Sequence, residues 1–198
     1  ASDGSSYSRV HGKYHPWLRT FLRERGYYDI FLFDTKGNLV YTVFKELDYA
    51  TNVNTGKWRD TDLGNAYRAA AESPSAGKHD FFDFKPYAPS AGAPAAFIST
   101  PVFDKSGKFI GALVFQMPID KMNNVMQSTV GLGETGETYI VGADGLMRSN
   151  SRFSKESTIL KRKVDTVPVK LALEGKTGVM ETKDYRGADV VSAYGPLE

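Results

Sequence analysis

The chain has 198 residues and a mass of 21.9 kDa, and 41% of its residues are apolar, enough for a packed core in one large domain or two small ones; a disordered chain is excluded. Lys and Arg number 25 against 23 Asp and Glu, and the bases form no run of five or more, so the electrostatic footprint of a nucleic-acid binder is missing. Cysteine is absent, which excludes a disulfide framework, a thiol nucleophile and a thiolate metal site.

The longest apolar stretch, "FIGALVF", is far short of the roughly 20 residues that cross a bilayer, so the chain as given is predicted to be soluble. The start, "ASDGSSYS", lacks the basic and apolar pattern of a signal peptide, and the end, "SAYGPLE", follows directly on a strand-like run. Together they predict a piece excised from a longer protein.

In chain order, residues 9–26 place Val10, Tyr14, Trp17, Leu18, Phe21 and Leu22 at helical spacing, with Gly26 as a C-terminal stop. Pro16 is expected to begin or kink a turn there. From residue 27, "YYDIFLFDTKGNLVYTVF" is two apolar runs joined by a polar hinge at Asp34 to Asn38, which predicts a hairpin. A polar loop with interleaved aromatics, "KELDYATNVNTGKWRD", leads to the helical "TDLGNAYRAAAES", with Asp60 or Thr61 as N-cap. Three strands are predicted next, in "HDFFDFKPY", "AAFISTPVFD" and "KFIGALVFQMP", and then an amphipathic connector helix carrying Ile119, Met122, Met126 and Val130.

The plan then restarts in shorter form. "TGETYIVGADGLMRSNSR" reads as strand, turn and strand, "DTVPVKLALEG" as a short helix, and "TGVMETKDYRGADVVSAYGP" as a hairpin turning near Arg186 and Gly187. Hairpins and short connections suffice throughout, so the fold class is α+β with antiparallel sheets flanked by helices.

Three blocks in order carry a family resemblance: "YYDIFLFDTKGNLVYTVFKELDYATN", "PVFDKSGKFIGALVFQMPID" and "GLGETGETYIVGADGLMRSNSRF". Over nearly its whole length the chain resembles the extracytoplasmic double Cache (PAS-like, PDC-type) sensor region of bacterial transmembrane receptors. Those receptors are methyl-accepting chemotaxis proteins above all, with histidine kinases and nucleotide cyclases as relatives. The resemblance implies an N-terminal helix (1–26), a membrane-distal module (27–120), a connector helix (121–130) and a membrane-proximal module (131–198) that lacks its last strand and exit helix. It also implies a periplasmic domain of an inner-membrane protein, a small-molecule ligand in the distal module (amino acid, organic acid or similar metabolite), and homodimerisation through the N-terminal helix. The chain departs from the family's amino-acid-binding motif. Tyr87 stands at the motif tyrosine, but "YAPSAG" offers Ser90 and no carboxylate, and "KWRDTDLGNAY" supplies only Trp58 and Arg59.

Catalytic and cofactor chemistry finds little footing. "GLGETG" satisfies G-x-G-x-x-G at Gly131, Gly133 and Gly136, yet a helix precedes it and a strand follows, the reverse of a phosphate cradle, so it reads as a flexible turn. His11 and His15 share a helix face but have no third ligand, and His79 has no serine motif or acidic partner. The pairs Asp60/Asp62 and Asp80/Asp83 supply too few oxygens for a calcium loop. No enzyme, cofactor or metal is predicted. An enzyme using those histidines and a protein-docking module are the competing readings.

What remains is a pocket with aromatic walls and a few polar groups. The candidates are Lys45, Asp48, Tyr49 and Trp58 in the loop, Tyr67 on the short helix, and Phe84, Tyr87, Ser90, Phe97 and Ser99 on or beside the strands. Lys45 would suit a carboxylate, and Asp48 an ammonium or hydroxyl. Tyr139, Ser149, Arg152, Asp184, Tyr185 and Tyr194 could line an equivalent second pocket. Arg152 suits either a carboxylate ligand or, preferably, an internal pair with Asp165 or Asp184.

Overall fold

The structure is a computed structural model that describes residues 3–197. It divides into two compact units, residues 1–119 and 120–198.

The first unit opens with helix α1 (Ser6–Arg25), whose termini are both sealed locally. The Ser5 hydroxyl accepts from the Ser8 N–H at 3.1 Å, and Gly26, at φ 68°, turns its own N–H back to the Leu22 and Arg23 carbonyls. Pro16 does not begin a turn, contrary to expectation: α1 is continuous across it. Packing holds it there: Leu18, Phe21 and Leu22 sit against the sheet residues Ile30, Tyr41 and Val43.

Strands β1 (Asp29–Phe33) and β2 (Leu39–Thr42) form the predicted hairpin. Asp34 closes its turn by accepting from the backbone N–H groups of Lys36 and Asn38. After the loop comes helix α2 (Asp62–Ala71), capped by the Thr61 hydroxyl, which accepts from the Gly64 N–H. Strands β3 (Asp80–Tyr87), β4 (Ala93–Phe103) and β5 (Phe109–Met117) complete an antiparallel sheet in the order β2-β1-β5-β4-β3.

Alternation assigns the two sheet faces. Ile30, Leu32, Leu113 and Phe115 face α1, while Phe31, Phe33, Ala112, Val114 and Phe97 face α2, where Leu63, Ala66, Tyr67 and Ala70 meet them. β1 and β5 are therefore apolar on both sides, as a central strand pair must be. The interruptions on the α2-facing side are polar: Asp29 and Gln116 are cross-strand partners there, Gln116 also pairs with Phe97, and Ser99 pairs with Val114.

Helix α3 (Ile119–Met126) begins on the last residue of the first unit, and the second unit contains the rest of it, helix α4 (Val167–Leu173) and the hairpin of β6 (Gly178–Lys183) and β7 (Asp189–Tyr194). Of the strand pair expected within 135–152, an isolated bridge forms, Val141 to Met147. Beyond the two ladder bonds that flank this bridge, from the Arg148 N–H to the Ile140 carbonyl and from the Gly142 N–H to the Leu146 carbonyl, side chains and a neighbouring loop take the backbone groups. Ser149 Oγ accepts from the Ile140 N–H, Asn123 Oδ1 from Asn150, Glu137 Oε1 from Arg152 and Thr158 Oγ1 from Ser151, while the Met147 N–H donates to the Arg162 carbonyl.

Candidate functional site

The α2-facing side of the first sheet collects buried polar groups among aromatic rings. Phe97 lies between Phe31 and Tyr87, with centroids 6.1 and 5.1 Å away and both contacts edge-on. The Tyr87 hydroxyl donates to Asp48 Oδ2 at 2.6 Å, and both side chains are buried. Ser90 donates to Glu46 Oε2 at 2.6 Å and accepts from Gln116 Nε2 at 3.4 Å; Tyr28 donates to Glu46 Oε1. Asp29, beside Gln116, accepts from the N–H groups of Ile30 and Val43 through Oδ1.

The electrostatics follow from burial. Removal from water raises the Asp29 carboxyl to about 6, against the opposing pull of its backbone donors. Burial likewise raises Asp48, with its Tyr87 hydrogen bond pulling the other way and Glu46 adding to the rise. The Tyr87 phenol is pushed up first by burial and then by the charge of Asp48. Perturbed groups gathered around rings mark this face as a candidate site.

Three atoms in this region are buried without a hydrogen-bond partner among the described residues: Asp48 Oδ1, Ser99 Oγ and Gln116 Oε1. An orphaned buried polar atom costs about 1–3 kcal/mol, so three on one face of one unit are expensive unless something else satisfies them.

Of the residues expected here, the structure gathers Asp48, Tyr87, Ser90, Phe97 and Ser99 on this face. Tyr67 is part of the packed core against Phe33. Trp58 staples the loop, its indole N–H donating to the Leu47 carbonyl at 3.1 Å. Phe84 is buried on β3 within the register shift between Phe82 and Lys85. Lys45 and Tyr49 turn toward Tyr41, on the α1 side. The Lys45 ammonium donates to the Thr42 carbonyl and lies over the Tyr41 and Tyr49 rings, and Tyr49 donates to the Tyr7 hydroxyl.

Glu46, Asp29 and Gln116 were not foreseen. Their signal is a charged or amide residue set in an apolar run: Asp29 in "YYDIFLF" and Gln116 in "ALVFQM".

On the α1 side, a groove of about 400 Å³ lies between α1 and the β1–β2 hairpin, walled by Val10, Tyr14, Trp17, Leu18, Leu32 and Val40 among others. His11 and His15 stack there at 4.4 Å, and His15 Nδ1 lies 2.9 Å from the Tyr41 hydroxyl. Burial lowers both imidazoles, and Lys45 adds to the shift. Among the described residues no cluster of His, Cys, Asp or Glu is suited to a metal. His79 is exposed, with Nδ1 near the Gly77 carbonyl.

In the second unit, Tyr139 and Tyr185 meet edge-on at 5.4 Å, and the Tyr185 hydroxyl donates to Glu137 Oε2 and lies 2.6 Å from Ser151 Oγ. Ser149 serves the backbone through Ile140, and Tyr194 lies on β7 at the Gly178 end of the hairpin, away from the turn that carries Tyr185. The internal pair preferred for Arg152 does not form. Its guanidinium donates to the Gly133 and Gly136 carbonyls, while Asp184 is held by Arg186 and Asp165 by Lys170. The loop carbonyls are reached by the planar fork, and each acid has a base close in sequence.

A five-stranded antiparallel sheet with a helix on each face defines a PAS-like module. The chain belongs to the Cache-domain family, whose double Cache model matches residues 9–198. Cache domains of this kind are extracytoplasmic ligand-binding sensor domains of membrane receptors. No curated protein sequence matches the chain significantly.

Similar solved structures include the extracellular domain of the putative histidine kinase rpHK1S-Z16, at 16% identity and a TM-score of 0.64, covering 92% of this chain and 70% of that one. The corresponding domain of the putative histidine kinase mmHK1S-Z2 has 17% identity and a TM-score of 0.60, covering 97% and 79%. The sensor domain of the V. cholerae histidine kinase DctB has 16% identity and a TM-score of 0.54, covering 83% of this chain and 56% of that one. The chain thus spans little more than half of the DctB sensor structure. No helix among the described residues is long and apolar enough to cross a membrane.

Proposed function

We propose that this chain is the periplasmic sensing region of a bacterial inner-membrane receptor, acting by binding and not by turnover. A small polar metabolite would bind on the α2-facing side of the first unit, with Asp48, Tyr87, Ser90, Phe97 and Ser99 as contacts and Glu46, Gln116 and Asp29 around them. The observation that carries this reading is the trio of buried, unpartnered atoms Asp48 Oδ1, Ser99 Oγ and Gln116 Oε1. Methyl-accepting chemotaxis is the output that the sequence resemblance favours. A histidine kinase is the second reading, supported by the kinase sensor domains among the similar structures.

A thermal-shift screen of metabolites tests the reading. A ligand at 100 times its Kd adds about 2.7 kcal/mol of stability. Tyr87→Phe and Asp48→Ala are expected to abolish the shift while the protein stays folded by circular dichroism; undiminished shifts in both would place the site elsewhere.

The chain is further proposed to pair through α1, where Trp17 is 63% exposed and Val10 53%. Sedimentation velocity should show a dimer that Trp17→Glu converts to monomer. A native chain that is monomeric at every concentration tested would refute pairing through this helix.

A further inference from the structure

Carboxylates dominate the polar surroundings of Tyr87. Its ionisation is opposed by the charges of Asp48, Glu46 and Asp29 together. No Lys, Arg or His among the described residues forms an ion pair with any of these acids. Lys45 feels the Asp29 charge but spends its ammonium on the Thr42 carbonyl and the two tyrosine rings. Arg68 spends its guanidinium on the carbonyls of Val53 and Arg59 and on Asn65. Arg59 is an exposed partner of Asp60.

The unpartnered atoms point the same way. Asp48 and Gln116 are 0% and 1% exposed, and the free Oδ1 and Oε1 are acceptors, so their complement is a donor. The Gln116 amide is tied into the Ser90–Glu46 chain through Nε2, which leaves Oε1 as its unused acceptor.

Resting on the reading that this face is the ligand site, we propose that its ligand presents a protonated amine and carries no free carboxylate, with Asp48 Oδ1 and Gln116 Oε1 accepting from its N–H groups. A free amino acid would bring its own carboxylate into a field of three acids with no guanidinium to receive it.

Calorimetric titration of the chain with 1,4-diaminobutane and ethanolamine, against L-alanine, L-serine and succinate, tests this. The amines are expected to bind and to raise Tm, and the carboxylate-bearing probes to give no heat. Asp48→Asn keeps the acceptor for Tyr87 and the side-chain shape while removing the charge, and should weaken the amines at least about tenfold. If it fails to fold by circular dichroism, Glu46→Gln serves in its place with the same expectation. Binding of L-alanine or succinate without the amines would overturn the ligand class and leave the sensing role standing. Silence from all five probes and from the metabolite screen would remove both, and amine binding indifferent to the charge-removing variant would overturn the assignment to this site.

Discussion

Gly111→Ala should be the most damaging small substitution in the first unit, costing about 3–5 kcal/mol and lowering Tm by roughly 10 °C or more. Gly111 lies in the interior of β5 at φ 150°, a backbone conformation that L side chains rarely adopt. A methyl group there would stand 2.0 Å from the Phe33 carbonyl oxygen and 3.1 Å from its carbon. Both are backbone atoms of the neighbouring central strand, so no side chain can rotate away. Relief requires prising β5 from β1 where Phe33 pairs with Ala112, beneath the Phe31 and Val114 core. Gly107→Ala is the control: at φ 81° it pays the left-handed backbone penalty, about 1–2 kcal/mol, but meets nothing within 4 Å. Urea denaturation of the two variants should separate by at least about 2 kcal/mol, and equal midpoints would show that the close approach at Gly111 carries no weight.

The features that the sequence displayed were those written in local pattern. Two apolar runs joined by the short polar "DTKGN" are set to pair as a hairpin, and Asp34 supplies the side-chain acceptor that closes the turn, so the first hairpin was readable. Thr61 and Gly26 marked helix ends for the same local reason. Pro16 misled because a proline removes one hydrogen bond and crowds one carbonyl, a local cost, whereas the aromatic and leucine stripe of α1 packs along the sheet and outweighs it. The strand pair of the second unit misled for the opposite reason. Its residues alternate well enough, but Ser149 and Glu137 within the segment, and Asn123 and Thr158 outside it, capture N–H groups with their side chains, and no period-2 pattern announces such partners.

The candidate site was legible to about the same depth. Tyr87, Ser90 and Asp48 announce themselves as polar residues in the right stretch, and the structure joins them to one face. Aromatics are ambiguous by nature: Tyr67 and Trp58 have the composition of a pocket wall and are used for packing and for a loop staple. Lys45 could not be placed from sequence, because a positive φ of 55° at its own Cα sets where its long side chain departs from the loop. Gln116 and Asp29 become interesting only once the register is known. Each lies within a strand, and the two are brought side by side by the β1–β5 pairing, about ninety residues apart in the chain.

That register also dictates how the first unit responds to pH. Asp29 is 1% exposed, and its folded-state value of about 6 stands roughly two units above the ordinary carboxylate value of 3.8. A raised acid binds its proton more tightly in the folded chain than in the unfolded one. Its contribution is therefore fully present below the unfolded value and is lost as pH rises through the folded one. Two units correspond to about 3 kcal/mol, with most of the loss falling between about pH 4 and pH 6.5. The groups facing Asp29 do not cancel this. Thr42 and the N–H groups of Ile30, Val43 and Phe44 stabilise the anion and are already included in the net rise, and Lys45 contributes only at a distance. Acids elsewhere that are held low by hydrogen bonds, such as Asp34, Asp104 and Asp144, push stability the opposite way, so the informative quantity is a difference between proteins. Asp29→Asn retains an oxygen to accept from Ile30 and Val43 and cannot ionise. Its stability relative to the parent should be near zero at pH 4 and should grow by about 3 kcal/mol by pH 7, or roughly 6–12 °C in Tm. A constant difference across that range would mean that Asp29 titrates normally, and the charge count at the face beside Gln116 would have to be redrawn.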